Sequence, residues 1–262
     1  MRILSMAMLL STTAAFAQLG APPVPVSALE RTWTLGGQVY GPALTGNFNG
    51  VQDGQPIAVD LDRDLGLGKD KVVPGFFLHY QGPRFAFQLS NGTTEYRGDR
   101  VVTRTVTVNG QNFTAGTRVQ SHVKLASVDG IWTLKFVRGS DAWVGLDLGV
   151  QAWTLDMDAS SAAPAQTAST RVTAPIAQIG LSAGGRGFHG GLEAKAYVHY
   201  LGYKQAKYTL VGADLRFFPV RWFGLRAFYE GSRFDVPKGS VKDDLEFQLD
   251  RKGAGFGGVF RF

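Results

Sequence analysis

Hydrophobic and polar residues alternate with a period of two along most of this chain. In AWVGLDLGVQAWT (142–154), Ala142, Val144, Leu146, Leu148, Val150 and Ala152 share one face. The other face carries Trp143, Gly145, Asp147, Gly149, Gln151 and Trp153. FHGGLEAKAYVHY (188–200) sets Leu192, Ala194, Ala196 and Val198 against His189, Glu193, Lys195 and His199. TLVGADLRF (209–217) opposes Val211, Ala213, Leu215 and Phe217 to Gly212, Asp214 and Arg216, and RFAFQLS (84–90) opposes Phe85, Phe87 and Leu89 to Arg84, Ala86, Gln88 and Ser90. Such alternation marks strands whose two faces meet different surroundings. The apolar face meets a second sheet in a soluble sandwich. It meets lipid in a transmembrane barrel, whose polar face lines the interior.

The pattern divides into ten segments, at 31–41, 71–81, 83–97, 117–138, 141–158, 171–184, 187–203, 206–218, 221–236 and 241–262. QGP, RGSD, GGRG and FPVRW read as tight turns rich in Gly, Pro and Asp. Longer polar links fall between them at 42–70, 98–116, 159–170 and 237–241. Short turns at one end and long loops at the other are the arrangement of outer-membrane barrels. An even strand number returns the C-terminus to the side where the chain entered. Several segments exceed the roughly 9–11 residues needed to cross a bilayer, so their ends should rise above it as ribbons. The expected fold is all-β: a closed antiparallel up-and-down transmembrane barrel of ten strands, with eight as the alternative count because 42–70 and 98–116 are ambiguous.

Composition supports the barrel reading. The 34 glycines among 262 residues are about twice the usual share of roughly 7%. Aromatics are plentiful, at 18 Phe, 8 Tyr and 5 Trp. MRILSMAMLLSTTAAFA (1–17) has a basic residue, a short apolar stretch and the A-x-A-like site Ala15-Phe16-Ala17, the three parts of a secretory signal. It predicts a mature chain beginning at Gln18, with a Pro-rich lead-in over 18–30 and the barrel over 31–262. No later run of 18 apolar residues occurs, which leaves an exported soluble protein or a barrel, because only helices and closed barrels satisfy their backbone in lipid.

The last strand, GAGFGGVFRF (253–262), places Phe256, Phe260 and the terminal Phe262 on one face. With the leader, this strand resembles that of bacterial outer-membrane β-barrel proteins, loosely the small OmpA-like and opacity-type barrels. The resemblance covers residues 30–262. It implies an outer-membrane location, lipid as surroundings, and recognition of Phe256, Phe260 and Phe262 by the barrel-assembly machinery. One irregularity stands out. Leu245, Phe247 and Leu249 put the apolar face on odd positions, whereas Phe256, Phe260 and Phe262 put it on even ones. A β-bulge at Arg251-Lys252-Gly253 would reverse the facing; alternatively, 241–250 lies above the membrane, where the facing rule relaxes.

Candidate chemistry narrows the function less. The absence of cysteine excludes disulfides, thiol catalysis and Cys-zinc sites. The net charge of +6 is scattered, without the basic cluster that nucleic-acid binding shows. No cofactor is expected. In IAVDLDRDLGLGKDK (57–71), Asp60, Asp62 and Asp64 have alternate spacing but lack the Gly and closing Glu of a calcium loop. The segment reads as an external stretch with locally paired charges, and Leu61, Leu65 and Leu67 suggest a cap over the barrel mouth. Asn109-Gly110 signals a two-residue hairpin, and SSAAPAQTAST (160–170) a mobile external loop. The expected interior charges are Arg84, Lys135, Asp147, Glu193, Lys195, Asp214, Arg216, Arg226 and Glu230, of both signs, as in a salt-bridged plug. His122 and His199 are expected near the external rim, within reach of Asp156 or Asp158. These features favour a structural or surface-interacting barrel that is not an enzyme, with a narrow solute channel as first alternative and a rim hydrolase as second. No external ligand is named by them.

Overall fold

A computed structural model describes residues 30–52, 54–203, 205–239 and 246–262. The signal segment, the lead-in through residue 29 and the start of the last expected segment (241–245) lie outside the described residues. In chain order the strands are β1 Thr32–Tyr40, β2 Ala43–Gln52, β3 Gln55–Asp60, β4 Gly68–Val73, β5 Gly75–Gln81, β6 Phe85–Val101, β7 Val106–Val108 and β8 Gln111–Phe113. They continue as β9 Arg118–Arg138, β10 Ala142–Ala162, β11 Ala165–Gly187, β12 Leu192–Tyr203, β13 Ala206–Phe217, β14 Phe223–Val236 and β15 Glu246–Arg261.

Ten of these form a closed antiparallel ring in the order β1, β5, β6, β9, β10, β11, β12, β13, β14, β15, with β15 pairing back onto β1. Closure removes the free edges that would otherwise invite aggregation. The start of β1 and the residue after β15 meet at the lower rim: Trp33 N donates to the Phe262 carbonyl at 2.7 Å, and Phe262 N to the Trp33 carbonyl at 2.9 Å. β1 and β2 are one long strand, interrupted at Gly41-Pro42 but paired to β15 in a single register from Thr34↔Arg261 to Glu246↔Asn49. The ring answers the eight-or-ten question in favour of ten. The long strands also rise as expected, with β9 and β10 at 21 residues and β11 at 23.

The barrel has two storeys with opposite solvation. In the lower one, Leu35, Trp132, Leu134, Leu148, Val150, Ile179, Leu181, Val211, Leu215, Leu225 and Phe260 face outward and are exposed, while Gln38, Thr133, Asp147, Ser182, Asp214 and Arg226 face inward and are buried. Aromatic side chains ring the lower edge: Trp33 packs on Tyr80 with centroids 4.8 Å apart, Tyr80 on Phe85 at 5.3 Å, and Trp222 stacks on Phe260 at 6.0 Å. In the upper storey the same strands reverse their chemistry. Val119, Val123, Leu125, Trp153, Leu155, Met157, Tyr208, Leu210, Phe247 and Leu249 fill the interior as one apolar cluster, and polar residues turn outward to water.

This reversal corrects the expected bulge at Arg251-Lys252-Gly253. β14 and β15 pair without a register shift from Phe223↔Phe260 to Val236↔Phe247. Odd positions of β15 point inward throughout. Phe247 and Leu249 are apolar because the interior is dry at their level, which accords with a segment lying above the membrane.

The cap over the mouth is built from the links that read as loops. β2 and β3 form a hairpin, β7 and β8 another, and Ala58 pairs with Thr107 between them. The Asn109-Gly110 turn has φ of 45° and 78°, the paired positive values of a hairpin turn whose twist suits the strands. Leu61 and Leu65 are fully buried beneath this cap. The expected loop at 160–170 is instead strand on both sides, with only Ala163 and Pro164 at the tip of the β10–β11 hairpin; its small residues continue the ladder to Ala162↔Ala165. GGRG is likewise strand rather than turn. The turn lies just beyond, at Phe188–Gly190, where Phe188 and His189 take positive φ, so His189 is exposed and leaves the polar face assigned to it.

Candidate functional site: the filled interior and an external groove

Inward positions of the lower storey bring acidic and basic side chains from strands distant in sequence into one network. Asp147 on β10 accepts from Thr133 Oγ1 at 2.6 Å and Ser182 Oγ at 2.8 Å, and lies 2.8 Å from His199 Nε2 and 4.0 Å from Lys195 Nζ. His199 Nδ1 is 2.8 Å from Gln178 Oε1. Asp214 on β13 pairs with Arg216 at 3.0 Å and with Arg226 at 2.5 Å. Glu193 on β12 meets Arg186 at 2.8 Å, Arg261 at 3.2 Å and Arg216 at 3.5 Å. Glu230 on β14 meets Arg251 at 2.7 Å and accepts from Tyr197 OH at 3.1 Å. Lys135 donates to the Gly82 carbonyl at 2.7 Å and lies over the Trp143 ring. Arg226 and Arg261 lie over Phe77 and Phe218, each 3.9 Å from the ring centroid.

Charges survive burial when paired and hydrogen-bonded, and period-two facing delivers them there. Eight of the nine expected interior charges occupy this network. Arg84 does not. Gly82 N donates to the Phe85 carbonyl at 2.9 Å and closes a tight turn, so the strand starts at Phe85 and Arg84 is exposed in that turn at the rim. His199 also departs from expectation. It sits fully buried in the middle of the network instead of at the rim, because β12 is short and ends at Tyr203.

Three further cations lie in the interior that the turn and facing signals do not place there. GGRG reads as a turn around Arg186, and Arg251 and Arg261 lie on the strand whose facing is expected to flip. Plain alternation from Phe262 down to Phe256 would have turned both inward. Interior glycines make room for the large side chains: a Cβ on Gly255 would collide with the Phe228 ring. Two small cavities in the network measure about 20 Å³ beside His79, Arg186 and Glu193, and about 30 Å³ beside Gln38, Asp129 and Glu230. A single water needs roughly 10–15 Å³.

An open groove of about 860 Å³ lies on the upper storey, lined by Arg97, Asp99, Gln120, His122, Asp158, Ser160 and Ser169 among others. His122 lies at the external rim, as expected. His122 on β9 has Nδ1 3.8 Å from Asp158 and Nε2 3.6 Å from Glu95. Asp156 is engaged elsewhere, by a two-pronged contact from Arg171. Arg171 holds the Asp156 carboxyl below its ordinary range. Asp99 is held down in the same way by Arg118, at 2.7 and 2.8 Å.

The Asp-rich stretch resolves into a structural turn. Asp60 Oδ1 accepts from Asp62 N at 3.1 Å and Arg63 N at 2.7 Å. Asp64 is buried and takes both prongs of Arg104, at 3.1 and 2.5 Å. Burial by itself would raise the Asp64 carboxyl; the hydrogen bonds from Arg104 and from Asp60 N outweigh it and leave it below the usual value. No group of three or more His, Asp or Glu side chains arranged to hold a metal occurs among the described residues.

Phe256, Phe260 and Phe262 point outward and are exposed, on the lipid side of the last strand.

No protein-family model matches the chain, and no curated protein sequence does. Solved structures do. The outer membrane protease OmpT from Escherichia coli is similar with a TM-score of 0.56 at 9% identity, covering 93% of this chain and 99% of that one. Ail, the attachment invasion locus protein of Yersinia pestis, matches at 17% identity and a TM-score of 0.34, covering 89% and 100%. The outer membrane protein OprG from Pseudomonas aeruginosa matches at 10% and 0.30, covering 91% and 99%. At these identities the likeness concerns the fold. The closed ten-stranded ring, the apolar outer belt and this likeness agree: the chain has the fold of the bacterial outer-membrane β-barrel proteins.

Proposed function

We propose that this protein is an integral outer-membrane barrel whose interior is a structural plug and whose contacts with other molecules are made by its external ribbons. The observation that carries the reading is the double filling of the interior. A paired charge network occupies the lower storey, with voids of about 20 and 30 Å³. An apolar cluster closed by the β2–β3 and β7–β8 hairpins occupies the upper one. A hydrated path would need polar lining along its whole length, and the upper cluster interrupts it. The groove beside His122 is an open concavity that the ribbons offer to water.

Conductance of the refolded protein in a planar bilayer tests this. The expected trace is silent or shows rare openings. Steady conductance whose ion preference changes in Arg216→Ala/Arg226→Ala, with unchanged melting, would replace the plug by a channel. A second reading, hydrolysis at the groove, is favoured by the approach of Asp158 to His122. It requires cleavage of a peptide or ester substrate that His122→Ala abolishes, and such an activity would displace the binding role.

A further inference from the structure

Asn-Gly pairs occur in the chain at 49–50, 91–92 and 109–110, and the fold treats them differently. Asn91-Gly92 lies inside β6, paired to Val128 and Ser127 of β9, and the Asn91 side chain accepts from Phe76 N at 2.6 Å. Asn49-Gly50 lies in β2, where Asn49 is paired on both edges, to Glu246 and Ala58. Asn109-Gly110 is itself the turn at the tip of the β7–β8 hairpin, with φ of 45° and 78°, and Asn109 is exposed. Two hydrogen bonds hold this tip down. Gly110 N donates to the Pro56 carbonyl at 3.0 Å, and Asn109 Nδ2 donates to the Ser169 carbonyl of β11 at 2.9 Å. Val106, Val108 and Phe113 of the same hairpin are buried in the apolar cluster. The ladder ties the hairpin down weakly: β7 and β8 have 3 residues each, and β7 pairs with β3 at the single position Ala58↔Thr107.

We propose that Asn109 is a modification site: its side chain latches the cap, and its spontaneous deamidation releases it. The inference concerns the cap and does not depend on whether the lumen conducts. The chemistry needs only water. The Gly110 backbone nitrogen attacks Cγ of Asn109, and its proton passes by way of water to Nδ2, which leaves as ammonia. The new N–C bond closes a five-membered succinimide. Water then opens the ring at either carbonyl, leaving aspartate or isoaspartate. Glycine as the second residue puts no side chain beside the attacking nitrogen. While the cap is closed both reacting groups are engaged, Gly110 N with Pro56 and the Asn109 amide with Ser169, so the reaction requires the tip to lift. A hairpin held by so short a ladder opens locally, at a cost far below that of unfolding the ring. Asn91 has no such route, because β6 must first leave β9. The product does not latch again. A carboxylate is an acceptor only, and it meets the Ser169 carbonyl, another acceptor. Isoaspartate also adds a methylene to the main chain of a two-residue turn whose flanks pair from Val106↔Phe113 to Val108↔Gln111. Conversion therefore uncovers the apolar interior of the upper storey in one direction only.

The test ages the full protein, folded in detergent micelles at mildly alkaline pH, and follows all three Asn-Gly pairs by peptide mass spectrometry. In folded protein Asn109 should convert about tenfold or more faster than Asn91, because only the hairpin opens locally. In the urea-unfolded chain the three pairs should convert at similar rates. Amide hydrogen exchange at Val106 and Val108 reads the cap. Aged wild type and fresh Asn109→Asp should both exchange there about tenfold or more faster than fresh wild type, with exchange at Leu134 and Leu148 of the ring unchanged. Asn109→Gln keeps an amide donor but must close a six-membered ring, a far slower reaction, so after the same ageing it should keep the protection of its fresh form. Conversion of Asn109 no faster than that of Asn91 in folded protein, or an equal lead of Asn109 in urea, would overturn the site. Unchanged exchange at Val106 and Val108 once Asn109 has converted would overturn the latch. These decisive readings use the unmutated protein, so they do not depend on a variant folding.

Discussion

Asp147 and Leu148 are neighbours in sequence with opposite surroundings. Asp147 is buried among Thr133, Ser182, His199 and Lys195, whereas Leu148 is 43% exposed on the outer belt. Asp147→Ala should destabilise the barrel by about 3–5 kcal/mol, because Lys195 loses its nearest carboxylate while remaining buried. Asp147→Asn should cost less, since an amide oxygen still accepts from the two hydroxyls. Leu148→Arg lies midway up the outward positions of β10 and should cost about 2–4 kcal/mol through lipid exposure. Arg84→Ala, in its exposed turn, should stay within about 0.5 kcal/mol of wild type. Urea titrations of refolded protein in lipid vesicles would rank the four, and an Arg84→Ala cost matching that of Asp147→Ala would show that Arg84 reaches the interior.

The cap is the element whose stability depends most visibly on pH. Asp64 links the turn after β3 to Arg104, ahead of β7. Its carboxyl lies below the usual range in the folded protein. A depressed carboxyl adds stability at pH values above its unfolded pKa of about 3.9, and that contribution is lost as pH falls through the lower folded value. The cap should therefore loosen below about pH 4 while the ring persists. Arg104→Gln removes the main opposing interaction and lets burial raise the Asp64 carboxyl, so the acid-dependent part of cap protection should shrink or reverse. Amide hydrogen exchange at Ile57, Val59, Val106 and Val108 measures this directly. Exchange that is equally pH-independent in both proteins would show that the ion pair contributes nothing to cap closure.

At the scale of the whole molecule, two differently solvated halves share the same strands. β10 and β15 run through both without a break in facing, and the ladder of β14 on β15 keeps one register from the lower aromatic rim to the apolar cluster. The polar interior of the lower half forms where the outside is lipid. The apolar interior of the upper half forms where the outside is water. A closed ring has no strand edge from which unfolding can begin, so unheated protein should migrate faster on detergent gels than heated protein. Identical mobility before and after boiling would contradict a closed barrel in solution.

Much of this was legible in the chain itself. Turn residues located the QGP, RGSD and FPVRW turns and the Asn109-Gly110 hairpin, and period-two alternation located the ten ring strands and the inward facing of Lys135, Asp147, Glu193, Lys195, Asp214, Arg216, Arg226 and Glu230. Alternation did so because facing is a local property of an extended backbone, set by where successive Cβ atoms point. Alternation, however, states only that two faces differ; it does not say which medium each one meets. Phe247 and Leu249 carry the same signal as Phe256 and Phe260, yet the first pair packs into a core and the second faces lipid. That difference depends on height along the barrel, which is decided by strand length, cap and closure together. The same holds for His199, central because β12 stops early, for Arg186, inward because the turn falls later at Phe188, and for Arg84, excluded because the turn runs on through it to Phe85. The local pattern determined the strands and the partition of their faces. The tertiary structure alone decided what surrounds each face, because burial is a relation between strands far apart in sequence.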